Sequence, residues 1–177
     1  MMRFWLVLSG LMFSTAHAGA AEVIESRFQV EITWDGGLVV SEEPVVPLLP
    51  DLACYNWYVR FAAGTGELAF VERLVLPGLA ASWDPEDGDS TTQIVVDPDG
   101  LGVTSSFTSA PDAEGWVTGG WCVAEGDPLG DHVISLEVDG EPVGSWPFRV
   151  VEASDYVAPA NAAPEATQDT PSDRSGG

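Results

Sequence analysis

Between residues 21 and 34 apolar and polar side chains alternate almost without interruption. Ile24, Phe28, Val30, Ile32 and Trp34 fall on one parity, and Glu25, Arg27, Gln29, Glu31 and Thr33 on the other. Successive side chains of a strand point to opposite faces, so this period of two predicts a half-buried strand and argues against a helix. The pattern recurs over residues 53–61, where Tyr55, Trp57, Val59 and Phe61 are in phase. Asp35-Gly36-Gly37 ends the first run and Leu38-Val39-Val40 returns from it, while Pro44, Pro47 and Pro50 predict an irregular or edge stretch. Residues 67–76, after a Gly64-Thr65-Gly66 turn, have a mixed apolar pattern that suits a strand covered on both faces.

The second half is punctuated in the same way. Residues 77–90 read as a loop with an acidic tip. Residues 92–96 and 101–108 then form a hairpin around Asp97-Pro98-Asp99-Gly100. Residues 116–125 make another strand, and the turn from Gly126 to Gly130 leads into residues 132–138. Asp139-Gly140 fits a tight two-residue hairpin, and residues 143–151 close the set with Trp146, Phe148 and Val150 on one face. About eight short strands and no helix after the leader predict an all-β protein of two packed antiparallel sheets.

The ends have a different composition. Arg3 and the apolar run from Phe4 to Phe13, followed by Ala16-His17-Ala18, have the form of a cleavable signal peptide over residues 1–18. The run is too short to span a bilayer, which needs about 20 residues, so no membrane insertion is expected after cleavage. Residues 19–154 form the expected β-sandwich domain. Residues 155–177 are mostly Ala, Pro, Thr, Ser, Asp and Gly and are expected to be a disordered tail. Such a leader sends the protein to the periplasm or the medium.

Export bears on the cysteines. Cys54 and Cys122 are the only two in the chain, and a lone pair in an oxidising compartment is expected to bridge. Each has the parity opposite to its strand's apolar residues, Tyr55 and Trp57 in one case and Val117, Trp121 and Val123 in the other. The bridge is therefore expected on an outer face or at a sheet edge.

The stretch from Gly126 to Val150 contains a Pro- and Gly-bearing turn, alternating Ile134, Leu136 and Val138, Asp139-Gly140 and a closing Phe148-Arg149-Val150. It resembles the terminal strand pair of bacterial secreted immunoglobulin-like domains, several of them of unknown function. The resemblance implies an immunoglobulin-like sandwich. It implies no catalytic residue, because the shared positions are turn and core positions. The outward phase of the cysteines departs from antibody-type domains, whose bridge joins the two sheets in the core.

Composition narrows the chemistry. The chain has 28 acids, six basic residues, all Arg, and a net charge of −22. Such a surface repels nucleic acid and anionic lipid, so no nucleic-acid partner is expected. His132 is the one histidine beyond the leader, no Gly-x-Ser-x-Gly elbow is present, and no phosphate-cradling glycine loop precedes a helix. No enzyme, cofactor or metal site is expected. Asp84, Glu86, Asp87 and Asp89 supply hard oxygen ligands of the kind calcium prefers, but their order breaks the EF-hand frame and suits a solvated loop. Trp34, Trp57, Trp121 and Trp146 are in phase with core residues, whereas Trp83 and Trp116 border loops and are candidates for an exposed binding surface. The expectation is a non-catalytic exported module acting through contact with an unidentified envelope or secreted protein. The alternative is a glycan- or calcium-binding module that uses those two tryptophans and the acidic loop.

Overall fold

The computed structural model describes residues 21–34, 37–81, 83, 92–158 and 164–165. Residues 1–18, expected to be a signal peptide, and most of the expected tail, 155–177, lie outside these residues. The strands are β1 (Val23–Trp34), β2 (Gly37–Ser41), β3 (Val45–Pro47), β4 (Ala53–Phe61), β5 (Leu68–Val75), β6 (Gln93–Val96), β7 (Gly102–Ser109), β8 (Trp116–Cys122), β9 (Gly130–Val138), β10 (Glu141–Val151) and β11 (Pro164–Glu165). A single 3-10 turn, Ala153–Asp155, follows β10, and no α-helix occurs among the described residues. No helix there is long and apolar enough to cross a membrane.

The strands form two sheets, one in the order β11-β2-β1-β4-β8 and the other β3-β10-β9-β5-β7-β6. All pairings are antiparallel except β3 with β10, which run parallel in the register Arg149 to Val45. The two packed sheets are antiparallel as expected, with this one short parallel pairing at an edge. The proline-rich stretch 44–50 does supply an edge, but its three-residue strand lies alongside the last long strand in the same direction. The two pieces that raise the strand number above about eight, β3 and β11, are too short to show a periodic pattern. β11 falls within the stretch expected to be tail.

The inner faces meet in one core containing Val30, Ile32, Trp57, Phe70, Ile134, Leu136 and Val150. Burying each such side chain contributes about 1.5–3 kcal/mol. Two aromatic groups join the sheets. Phe148 of β10 stacks on Phe28 of β1 at 5.4 Å and lies 4.4 Å from Tyr55 of β4, while Trp57 of β4 lies over Phe70 and Phe107 of β5 and β7. The Asp139-Gly140 hairpin forms as expected: both residues take positive φ, 51° and 82°, which a two-residue turn of this twist requires.

Two burial expectations are corrected. Trp34 is 45% exposed, because β1 runs past the last interior layer before the turn. β5 is covered on one face only: Leu68, Phe70, Glu72 and Leu74 are buried, and Ala69, Arg73 and Val75 face out. Trp121 and Trp146 are half-buried and packed against the core.

Cys54 and Cys122 form the disulfide. They are direct partners in the β4–β8 ladder and lie on its outer face, Cys122 exposed and Cys54 half-buried, as their parity predicts. The bridge thus ties neighbouring strands of one sheet rather than two sheets. Its ends are 68 positions apart, so it removes about 4 kcal/mol of chain entropy from the unfolded state in the loop-closure account. Reduction should lower the denaturant midpoint accordingly, and the exposed Cys122 should let dithiothreitol open the bridge in the folded protein. An unchanged midpoint after complete reduction would show that the bridge does not set stability.

Candidate functional site

Two groupings of polar and aromatic side chains stand out, one inside the sandwich and one on its surface. The inner one centres on Glu72, 4% exposed on the core face of β5. Its two carboxylate oxygens accept from the indole N–H groups of Trp57 and Trp121, which belong to the opposite sheet. Burial pushes the Glu72 carboxyl above its ordinary value, and the two indole donors work against that shift. Gly119, opposite Trp57 on β8, leaves the room the ring needs: a Cβ there would stand 2.5 Å from the indole. His132, 2% exposed, stacks on Phe148 at 5.1 Å with Nδ1 3.0 Å from the Gly130 carbonyl oxygen, and burial lowers its pKa. Both titratable groups are packed away from solvent, and their arrangement serves the interior.

The surface grouping lies on the outer face of β1, β4 and β8. The register sets Glu25 beside Arg60 and Arg60 beside Trp116, then Arg27 beside Tyr58 and Tyr58 beside Thr118. The Arg27 guanidinium lies 4.4 Å from the centre of a Trp116 ring and 5.5 Å from that of Tyr58, and Arg60 lies 5.5 Å from Trp116. Tyr58 meets Trp116 edge-on and donates its hydroxyl to Glu31. Burial, followed by that bond to a carboxylate, pushes the Tyr58 pKa up to about 12. Among the described residues Arg60, Arg73 and Arg149 each pair with an acid, and Arg27 pairs with none.

Among the described residues β8 is the outermost strand of this sheet, so the face runs to an edge. The Val123 N–H donates to Ala53 and the Phe61 N–H to Gly115, which fixes the phase of the β4–β8 ladder. Val117, Gly119 and Trp121 therefore bond to β4, and Thr118, Gly120 and Cys122 turn their backbone groups outward. The start of the edge is closed, because Trp116 exchanges bonds with Asp112 through that residue's side chain and backbone. Beside it, the 111–115 loop, Ile24 and the turn after β4 enclose a shallow depression of about 410 Å³.

Of the residues singled out in the sequence, Trp116 lies in this cluster beneath Arg27. Trp83 is half-buried and packed against the core. The structure does not bring the two together as an open aromatic surface. Asp84, Glu86, Asp87 and Asp89 lie outside the described residues, and among the described residues no group of three or more His, Cys, Asp or Glu could hold a metal. Arg27, Tyr58 and Arg60 escaped the sequence reading because the solvent-facing parity of a strand looks alike everywhere, and their meeting depends on interstrand register. Glu72 had a signal: it shares the parity of Leu68, Phe70 and Leu74.

Two sheets with a core between them define the class: a β-sandwich. The sequence profile of the PM0630 beta sandwich domain matches residues 26–151, and the chain belongs to that family. No curated protein matches the chain. Among solved structures, an immunoglobulin-like protein of Pseudomonas aeruginosa is 14% identical, with a TM-score of 0.44, over 77% of this chain and all of that one. The alkylpurine DNA glycosylase AlkC of Pseudomonas fluorescens, solved with DNA containing an abasic-site analogue, is 13% identical with a TM-score of 0.39. That match covers 74% of this chain, which spans 30% of the glycosylase chain.

Two tests address the inner grouping. Glu72→Leu should cost about 1–3 kcal/mol for each indole N–H left without a partner, read as a lower unfolding free energy. Linkage gives the two titratable groups opposite slopes. The raised Glu72 pKa contributes stability that is full below the ordinary 4.5 and is lost as pH rises through the folded value. The lowered His132 pKa contributes stability that is full above 6.5 and is lost as pH falls through the folded value. The difference between the parent and Glu72→Gln should therefore shrink with rising pH, and that between the parent and His132→Asn should shrink with falling pH. A flat difference in unfolding free energy across pH 4–8 would refute the corresponding assignment.

Proposed function

We propose that the protein is a non-catalytic module, exported to the periplasm or the medium, that acts by contact with another envelope or secreted protein. The observation that carries this reading is the Arg27–Trp116–Tyr58–Arg60 stack on the outer face, beside the outward backbone groups of Thr118 and Gly120. Aromatic and Arg side chains are the residues most enriched at energetically dominant contact positions. An edge strand whose backbone groups have no strand partner among the described residues adds a second means of holding an extended segment. Arg27 offers a planar fork of donors without an acid of its own among the described residues, suited to a carboxylate on the partner.

The rest of the molecule fits a binding role better than a catalytic one. His132 is committed to packing on Phe148, and both cysteines are committed to the bridge. A disulfide-bonded immunoglobulin-like sandwich is compatible with an extracytoplasmic location, and the signal-peptide pattern of residues 1–18 favours export. Glycan binding is less favoured, since Trp83 is half-buried and one face of Trp116 stacks against a guanidinium.

The test is crosslinked capture from the native envelope with the mature protein and with Arg27→Ala and Trp116→Ala variants. One saturable protein partner is expected. Each variant should weaken its capture roughly tenfold, the effect of losing a dominant contact residue, while melting near the parent temperature. A partner held equally well by both variants, or no partner at all, would refute this assignment of the face.

A further inference from the structure

Ile24 departs from the phase of its strand. It shares the parity of the core residues Phe28, Val30 and Ile32, yet it is 50% exposed. The ladder with β4 shows why. Val23 pairs with Phe61 and Glu25 with Arg60, so Ile24 is the extra residue of a β-bulge. A bulge re-aims one side chain, and here it turns an apolar one out of the core.

Ile24 borders the depression of about 410 Å³ beside the contact face, where Ala63, Pro111 and Ala113 are further apolar walls. The 111–115 loop that forms one side of it is held in a single shape. Asp112 accepts from the N–H groups of Glu114 and Trp116. Gly115 takes a φ of 91° and comes so close to β4 that a Cβ would stand 2.7 Å from the Phe61 carbonyl oxygen. Arg60 borders the same depression, and its guanidinium lies 5.5 Å from a Trp116 ring. Glu25 meets Arg60 at Nη2 only, 3.1 Å away, and Arg27, 4.4 Å from a ring of the same tryptophan, has no acid partner among the described residues. Of the two acids on the loop, Asp112 is committed to the backbone and Glu114 is exposed, where water and salt screen it. A smaller concavity of about 260 Å³ beside Arg149 lacks this combination, having Glu152 and Asp155 on its walls and no aromatic ring.

We propose that the depression is the anchor pocket of the contact face and takes the C-terminal residue of the partner: an apolar side chain of leucine size in the depression, its carboxylate on Arg60 with Arg27 behind. The proposal rests on the reading of this face as the contact site. Because Arg60 borders the depression itself, the apolar group and the carboxylate must lie within one residue's reach. Successive residues of an extended segment point to opposite faces, so an acidic side chain next to the apolar one would point away from the guanidinium. A C-terminal residue presents both groups from one position. Charge-assisted bonds from a guanidinium to a carboxylate then fix the end of the chain.

The probes are N-acetyl-leucine and N-acetyl-leucinamide, followed by NMR on the mature protein. The acid should shift the methyl signals of Ile24, Ala63 and Ala113 and the Nε–H signals of Arg60 and Arg27, saturating in roughly the millimolar range expected of so small a ligand. The amide, which lacks the charge, should bind roughly tenfold more weakly. Ala113→Trp, which fills the depression, should abolish the Ile24 shift, and Ile24→Ser should weaken binding of the acid; both should melt near the parent temperature. In capture from the envelope, Ala113→Trp should lower the partner's yield roughly tenfold. Acid and amide binding alike, or acid-induced shifts that leave Ile24 and Arg60 untouched, would overturn the proposal. A partner lost with Arg27→Ala but kept by Ala113→Trp would overturn the pocket and leave the contact face standing.

Discussion

A single carboxyl group connects the halves of this sandwich. Glu72 reaches from one sheet and takes the indole N–H of two tryptophans on the other, so the rings that fill the core are also oriented by it. An indole is large and apolar but has one donor that must be satisfied when buried. Placing two of them over β5 creates a need for two acceptors in one spot, and a carboxylate provides both. The requirement spreads outward: Gly119 must lack a side chain for Trp57 to lie flat, and Phe70 and Phe107 then stack beneath it. The position of β8 against β4 follows from the same fit.

How much of this was legible beforehand depends on which regularity each feature obeys. Strands such as β1 and β4 announce themselves through period-two alternation, and the Asp139-Gly140 turn through its backbone demands. The outward disulfide was readable from parity alone, since each cysteine is out of step with its apolar neighbours. β3 and β11 were not readable, because three or two residues contain no period. Trp34 shows the limit of parity: it has the right phase but lies beyond the end of the interior, and phase carries no information about where the core stops. The stack of Arg27, Tyr58, Arg60 and Trp116 needs the mutual register of three strands, which is set by packing in the core and leaves no local trace in the sequence.

The two faces of the first sheet have been put to different uses. Its inner face is almost wholly apolar and closes the core. Its outer face has two of the chain's few cations lying over one tryptophan, with their neighbouring acids Glu25 and Glu31 close by. In a protein so strongly acidic this is a patch where cations offset much of the neighbouring acid charge. A partner approaching there meets aromatic surface and donors instead of the repulsion presented elsewhere.

The siting of the disulfide has a mechanical consequence. A bridge between opposing sheets resists their separation, whereas one between adjacent strands of a single sheet resists unzipping. Cys54 and Cys122 lie at the start of β4 and at the end of β8, so the seam between them is riveted at one end. Fraying of β8 must therefore begin from its Trp116 end, where Asp112, Arg27 and Arg60 gather. Loss of the rivet would let the strand peel from both ends while the aromatic interior remains closed, giving a failure in which an edge is lost before the core opens.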